Sequence, residues 1–335
     1  MMILFREITL HDWLELLDER GHITRTVEVP GSSDVEVTIG CDVFENCRTW
    51  EVFETPQTLT LLGKGGFAKT WRYDTTTQTN SVISVVIKQN LTNKRKDEKP
   101  AWYREASHTR QLSHENIIKY YGKPILYKSS YYCIMEDGGK SLFEKYNSKY
   151  MARSDIRIAM LHIAKAIRYL HDDSRNDVVI HRDIRTSNVT VSESGVYKLI
   201  DFGISSKKCA QLSSKFTSDP GFGNSLWKSP EYCGYLVTGQ GSPGGRKSDI
   251  WMFGVFVLEM LAFPNLPQFF EDYNPNITGN SVKFQCGLSK RTLILTDFID
   301  DDCEDVIRNV VEKCLQHSEN DRCSSQELLH FCQKL

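Results

Sequence analysis

Long apolar runs are missing from this 335-residue sequence. No stretch of about 18 apolar residues occurs, which excludes a simple membrane-spanning helix. The opening Met1-Met2-Ile3-Leu4-Phe5-Arg6 is too short for the apolar core of a signal peptide. Cysteine is sparse: ten residues, none spaced as CxxC, too few for a disulfide scaffold and wrongly placed for a zinc site or a dithiol redox motif. Neither sign of charge prevails, because 41 Lys and Arg stand against 43 Asp and Glu, a formal net charge of −2. Bulk attraction to nucleic acid is therefore not expected. What remains, 40% hydrophobic and 25% charged residues, is the composition of a soluble globular chain. Its length suits one large two-lobed domain or two ordinary ones, and the thiol usage suits the cytoplasm or the nucleus.

Residues 1–55 read differently from the rest. Thr9-Leu10-His11-Asp12 fits a capping box ahead of the short amphipathic stretch Trp13, Leu14, Leu16 and Leu17. Two β-rich runs follow, Arg25–Val29 and Val35–Ile39, split by Pro30-Gly31-Ser32-Ser33. No chemistry attaches to this segment, which reads as an extension packed on the main domain or as a partner-binding element. From about residue 57 strands are expected at Thr58–Leu62, Phe67–Tyr73 and Ser81–Lys88, then a helix over 101–112 and strands near 117–121 and 131–135. After Gly138-Gly139 the pattern turns helical. Ile156, Ala159, Ile163, Ala166, Ile167 and Leu170 share one helical face, Ile250–Ala262 is apolar on nearly every side except Glu259, and Asp305–Leu315 and Ser324–Gln333 are amphipathic.

Chemistry enters with Gly63-Lys64-Gly65-Gly66-Phe67-Ala68, set between two expected strands. Glycines let backbone N–H groups approach phosphate oxygens. A dinucleotide fingerprint needs a helix after such a loop, and the Walker pattern needs Gly-Lys-Ser/Thr; neither is present. Val85-Val86-Ile87-Lys88 then ends a strand on a lysine, an ammonium suited to nucleotide phosphates if a carboxylate fixes it, and Glu105 is the candidate. His181-Arg182-Asp183-Ile184-Arg185-Thr186-Ser187-Asn188 has the spacing H-R-D-x-x-x-x-N, and Asp201-Phe202-Gly203 follows a strand pair, Val189–Val191 and Tyr197–Ile200. One carboxylate to accept a hydroxyl proton, with an amide and a second carboxylate to hold a divalent metal, is the chemistry that Asp183, Asn188 and Asp201 supply.

With these motifs in order, the chain resembles the eukaryotic protein kinase family over about residues 57–333. Ser229-Pro230-Glu231 looks like the A-P-E motif, Asp249-Ile250-Trp251 with Gly254 like the buried D-x-W-x-x-G helix, and Arg322 like the arginine that pairs with that glutamate. The resemblance implies an α+β, bilobal protein-kinase fold, with a small β-rich N-lobe and a larger α-helical C-lobe, in a domain spanning 56–335. It implies ATP and Mg²⁺ as cofactors. By it, Gly63, Lys64, Gly65, Gly66, Phe67 and Ala68 cover the phosphates and Lys88 with Glu105 holds them. Glu136, Asp137 and Gly138 form the hinge after the gatekeeper Met135, Asp183 and Arg185 act on the transferred group, and Asn188 and Asp201 bind metal. Phe202 and His181 belong to a hydrophobic spine. Protein substrates and an upstream activating kinase are the implied partners, without nucleic acid or membrane insertion.

Departures from the family pattern carry their own expectations. Ala68 stands where the third glycine of the loop is usual, in a string, Leu62–Lys69, similar to that of polo-like kinases. Thr109 replaces a spine leucine, which should weaken docking of its helix. Arg185 stands for the lysine and Asn224 for the threonine usual in serine/threonine kinases, which leaves tyrosine or dual specificity open, while Asp201-Phe202-Gly203-Ile204-Ser205 and Thr186-Ser187-Asn188 look more like the STE-type serine/threonine group and favour serine/threonine specificity. A pseudokinase scaffold is the reading from another class. The segment Asp201–Glu231 carries Ser213, Ser214, Thr217, Ser218 and Ser225, and a phosphate there is expected to reach Arg182.

Overall fold

The structure, a computed structural model, describes residues 23–27, 35–39, 59–64, 68–76, 82–90, 112–127, 130–174, 178–202, 206–207, 228–232, 235, 244–264 and 305–335. The chain divides into two compact units, Met1–Ser113 with Ile118–Asp137, and His114–Ile117 with Gly138–Leu335. The expected helices near Trp13 and over 101–112, the latter with Glu105 and Thr109, lie outside the described residues.

The first unit is built from strands. β1 (Ile23–Val27) and β2 (Val35–Ile39) form an antiparallel pair closed by Val27 opposite Val35; Glu28 and Val29 of the first expected run lie outside the described residues. A five-stranded antiparallel sheet follows, in the order β3 (Leu59–Lys64), β4 (Ala68–Thr76), β5 (Val82–Asn90), β7 (Ser130–Glu136), β6 (Tyr120–Tyr127). The middle position of β5 explains its sequence: Val85, Val86 and Ile87 are all buried, as are Cys133, Ile134 and Met135 on β7 beside it. A strand covered on both faces reads as an unbroken apolar run rich in branched residues. The run expected as one strand at 117–121 is divided. Ile117 bridges to Leu199 in the second unit's own part of the chain, whereas β6 starts at Tyr120.

The second unit is mainly helical. β8 (Lys140–Ser141) leads into the short helix α1 (Leu142–Tyr146), whose start is fixed by a capping box between Ser141 and Glu144. α2 (Arg153–Leu170) buries the predicted stripe of Ile156, Ala159, Ile163, Ala166, Ile167 and Leu170. Strand β9 (Val179–Ile180) pairs with β12 (Ser206–Lys207), and β10 (Val189–Val191) lies between β11 (Tyr197–Leu199) and β8. α3 (Arg246–Ala262) is buried from Ser248 to Met260, which accounts for its near-uniform apolarity. α4 (Asp305–Cys314) packs on α3, and α5 (Ser325–Cys332), capped by Ser324 with Glu327, packs on α2. Among the described residues no helix is long and apolar enough to cross a membrane.

Two glycines in this unit are required by close approach. Gly139 has φ +82°, and a Cβ there would lie 2.4 Å from the Val191 carbonyl oxygen of β10. At Gly254, on α3, a Cβ would come within 2.8 Å of Leu315 and 2.9 Å of Cys314, so the glycine sets how closely α3 packs against the end of α4.

Candidate active site

The nucleotide-binding candidates of the first unit sit on adjacent strands. Gly63 pairs with Thr70, Thr70 with Lys88, and Lys88 with Cys133, forming one row across β3, β4, β5 and β7. At roughly 4.8 Å per strand, this row sets Lys88 two strands from Gly63. The glycine-rich segment is thus flanked by two strands, where dinucleotide folds have a strand and a helix, as the sequence predicts. Gly65, Gly66 and Phe67 fall outside the described residues, while Ala68 opens β4. At the end of β7, Glu136 donates its N–H to the Lys119 carbonyl (2.9 Å) and accepts the Lys119 N–H on Oε1 (2.7 Å). Asp137 pairs with Arg72 at 3.3 Å.

In the second unit, β9 delivers His181-Arg182-Asp183, and a single 3₁₀ turn, Thr186–Asn188, folds the chain back. That turn explains the five-residue spacing of the two functional positions. It brings Asn188 Nδ2 to Asp183 Oδ2 at 2.6 Å and to the Asp183 carbonyl at 2.9 Å. Arg185 Nε lies 3.5 Å from the same Oδ2. Asp183 Oδ1 is buried and accepts no hydrogen bond among the described residues. A carboxylate with one oxygen anchored and the other accepting no hydrogen bond is suited to accept a proton from a hydroxyl.

The chain then returns through β10 and β11 to Ile200, whose N–H donates to the Asn188 carbonyl at 2.9 Å, so Asp201 follows directly on the Asn188 backbone. Asp201 has φ +58° and is half-buried. Phe202 is fully buried, with its ring edge-on to His181 at 4.7 Å. Because Asn188 commits its amide hydrogens to Asp183, oxygen is the atom it retains for a cation. An amide oxygen and a carboxylate are hard donors of the kind that Mg²⁺ takes. Gly138, the last of the expected hinge positions, is buried.

Two acids on α3 hold this loop from below. Asp249 accepts the His181 N–H at 2.8 Å and the Arg182 N–H at 2.7 Å, and its Oδ2 meets His171 Nε2 at 2.9 Å. Burial alone would raise its carboxyl, but the His171 hydrogen bond, the nearby imidazoles and the Arg182 N–H hold it below the ordinary 3.8. Glu259 accepts the Thr186 N–H at 2.9 Å, which explains the one acid within the apolar run Ile250–Ala262. His181 Nδ1 accepts the Asp183 N–H (3.2 Å) while Nε2 faces the Ile200 carbonyl (3.1 Å), a set of partners that fits a neutral ring protonated on Nε2. Burial accordingly pushes its pKa below 6.5, against the pull of Asp249 and Asp183.

Arg182 is strained, at φ +69°, a conformation that costs about 1–3 kcal/mol. Asp249 takes its N–H, and Lys228 Nζ donates to its carbonyl at 2.8 Å. Its guanidinium, expected to await a phosphate, is buried and donates to the Gly244 carbonyl at 3.3 Å. The serines and threonine at 213–225 lie outside the described residues, as do Gly203 and Asn224.

The expected pair of Glu231 and Arg322 is present as a two-pronged bridge, Nη1 to Oε1 and Nη2 to Oε2 both at 2.8 Å. The carbonyls of Gln316, Lys247 and His317 take the other guanidinium hydrogens, so all five donors are satisfied in a fully buried side chain. Ser248 Oγ donates to Glu231 Oε1 at 2.7 Å. Four residues here were not singled out for the site from sequence: His171, Ser248, Glu259 and Lys228. Of these only Glu259 had a signal, its charge in an otherwise apolar run.

The protein kinase domain family model matches residues 57–331. The chain is 29% identical over 307 residues to the serine/threonine-protein kinase Tao of Drosophila melanogaster, covering 90% of this chain and 26% of that protein. It is 27% identical over 300 residues to the probable serine/threonine-protein kinase SIS8 of Arabidopsis thaliana, covering 88% and 26%. With the MAP kinase kinase MKK1/SSP32 of Saccharomyces cerevisiae it shares 34% identity over 165 residues, 47% of this chain and 30% of that protein. The chain thus spans about a quarter of the length of Tao and SIS8. The family match takes in the glycine-rich segment, the lysine strand, the Asp183 loop, Asp201 and the Glu231–Arg322 bridge, and the chain belongs to the protein kinase family.

Proposed function

We propose that the chain transfers the γ-phosphoryl group of ATP to serine or threonine hydroxyls of proteins. The observation that carries this is the asymmetry of Asp183, whose Oδ2 is anchored by Asn188 at 2.6 Å while Oδ1 is buried without a hydrogen-bond partner among the described residues. Asp183 accepts the hydroxyl proton on Oδ1 as the acceptor oxygen bonds to phosphorus and the oxygen bridging to ADP leaves. Arg185 offsets negative charge on the transferring group. Lys88, with Glu105, positions the nucleotide phosphates beneath the glycine-rich segment of residues 63–68. Asn188 and Asp201 would hold Mg²⁺, which when bound neutralises triphosphate charge. The serine/threonine reading is supported by the names of Tao and SIS8. Other kinases, as substrates or as activators acting on residues 213–218, are suggested by the likeness to a MAP kinase kinase. The buried thiols Cys133, Cys314, Cys323 and Cys332 suit a reducing cytoplasmic or nuclear setting. Residues 1–55 form an extension to the kinase domain of 56–335.

Incubation of the purified chain with Mg²⁺, ATP and a mixed peptide library, with phosphosites mapped by mass spectrometry, tests this reading. Phosphoserine and phosphothreonine are expected. Phosphotyrosine alone would overturn the specificity, and nucleotide binding without transfer would favour a scaffold.

A further inference from the structure

Lys228 stands in the stretch Trp227-Lys228-Ser229-Pro230-Glu231, whose motif gives no reason to expect a charge at that position. Its side chain nevertheless turns inward. The residue is 8% exposed, Nζ donates to the Arg182 carbonyl at 2.8 Å, and the ammonium lies over the Tyr232 ring at 4.9 Å. The same Nζ is 4.0 Å from Asp183 Oδ1. That distance is too long for a hydrogen bond and short enough for strong attraction where water is scarce. Arg185 Nε stands 3.5 Å from the other oxygen, Oδ2. One cation therefore faces each oxygen of the carboxylate, and Lys228 faces the one that Asn188 does not anchor.

We propose that Lys228 is a positioning residue of the phosphoryl-transfer centre, which fixes the peptide unit ahead of Asp183 and sets positive charge beside Oδ1. This rests on the kinase reading above. The bond to the Arg182 carbonyl holds a residue with φ +69° and, with it, the backbone position of Asp183. The charge steadies the orientation of the carboxylate and favours the acceptor oxygen as its proton passes to Oδ1. Lys228 itself neither gives nor takes a proton. A buried ammonium is costly without partners, and this one has a carbonyl, a carboxylate and an aromatic face.

Lys228→Met, Lys228→Gln and Lys228→Arg separate the two contributions. Glutamine keeps a donor for the Arg182 carbonyl without charge, whereas arginine keeps both. Peptide phosphorylation gives kcat and KM for each acceptor and for ATP, and melting curves report folding. The expected result is a fall in kcat of about 10²-fold for Met and Gln, with KM for ATP unchanged, and recovery of most of the rate by Arg. Wild-type kcat in Lys228→Met overturns the proposal. So does recovery by Gln, which would mean a backbone prop alone, and so does an Arg variant as slow as Met. If Lys228→Met melts early, Gln against Arg carries the comparison. Absence of transfer by the wild-type chain itself would overturn the kinase reading, and this proposal with it, before any variant is examined.

Discussion

Asp249 grips the backbone N–H of Arg182 at 2.7 Å while that residue sits at φ +69°. A carboxylate at the first turn of a buried helix thus keeps a strained peptide in the one conformation that carries Asp183 forward. Asp249→Asn preserves shape but turns an amide N–H₂ toward groups that are themselves donors. Each buried donor left without an acceptor costs about 1–3 kcal/mol. Chemical denaturation should show that loss, and phosphotransfer should fall further than stability does.

Asp183→Ala and Asp201→Ala should fail in different ways. The first removes the proton acceptor, so transfer should drop by roughly 10²–10⁴-fold with Mg²⁺-ATP affinity retained. The second should abolish the gain in nucleotide affinity on adding Mg²⁺. Titration of a fluorescent nucleotide with and without Mg²⁺ distinguishes them, and an equal Mg²⁺ effect in both variants would refute the assignment of Asp201.

Arg322→Ala would leave the Glu231 carboxylate without its buried partner, a loss of about 3–5 kcal/mol. The Glu231 carboxyl lies below its ordinary 4.5; burial works to raise it, but the hydrogen bond and charge of Arg322 prevail. With the folded value lowered, the bridge contributes fully above pH 4.5 and is lost as pH falls through the lowered value. Melting curves in acid should therefore be less steeply pH-dependent in Arg322→Ala than in the parent chain.

His181 predicts a second acid window at higher pH. Its folded pKa lies below 6.5, so the unfolded chain binds the proton more readily. The stability it contributes is present above pH 6.5 and declines as pH drops toward the lowered value. A proton on Nδ1 would also oppose the Asp183 N–H that this nitrogen accepts. Melting temperatures followed downward from pH 6.5 should decline, with a shallower slope in His181→Phe.

Gly254→Ala tests the packing of α3. The added methyl would meet Leu315 at 2.8 Å and Cys314 at 2.9 Å, and overpacking of this kind costs about 1–3 kcal/mol. A midpoint equal to that of the parent chain would mean that the end of α4 yields without cost.

Much of this architecture could be read from the chain because the signals were local or came as an ordered set. A branched apolar run marked β5, an aromatic and apolar one marked β7, and the H-R-D-x-x-x-x-N spacing marked the two residues that the turn Thr186–Asn188 brings together. The Glu231–Arg322 bridge came from the order of motifs rather than from any local pattern. α3 starts at Arg246, four residues before the apolar run at Ile250, because its first turn is polar; that turn carries Asp249, which orders the loop. The run 117–121 looked continuous because its residues are uniformly apolar or aromatic, apart from Lys119, whatever they pair with. His171 and Lys228 left no trace, since each contributes through a contact made across dozens of residues to a backbone or side chain that periodicity cannot see.

Glu231 precedes Arg322 by 91 residues, and a ribosome adding about 5–20 residues per second needs roughly 5–20 s to make that stretch. During synthesis the glutamate is therefore in place well before its arginine exists. The bridge at Glu231 cannot close until the last part of the domain has emerged, so a chain stalled or cut before residue 322 would leave that carboxylate without its guanidinium. Anchoring of the Glu231 segment is thereby tied to the completion of the domain's last described helices, α4 and α5.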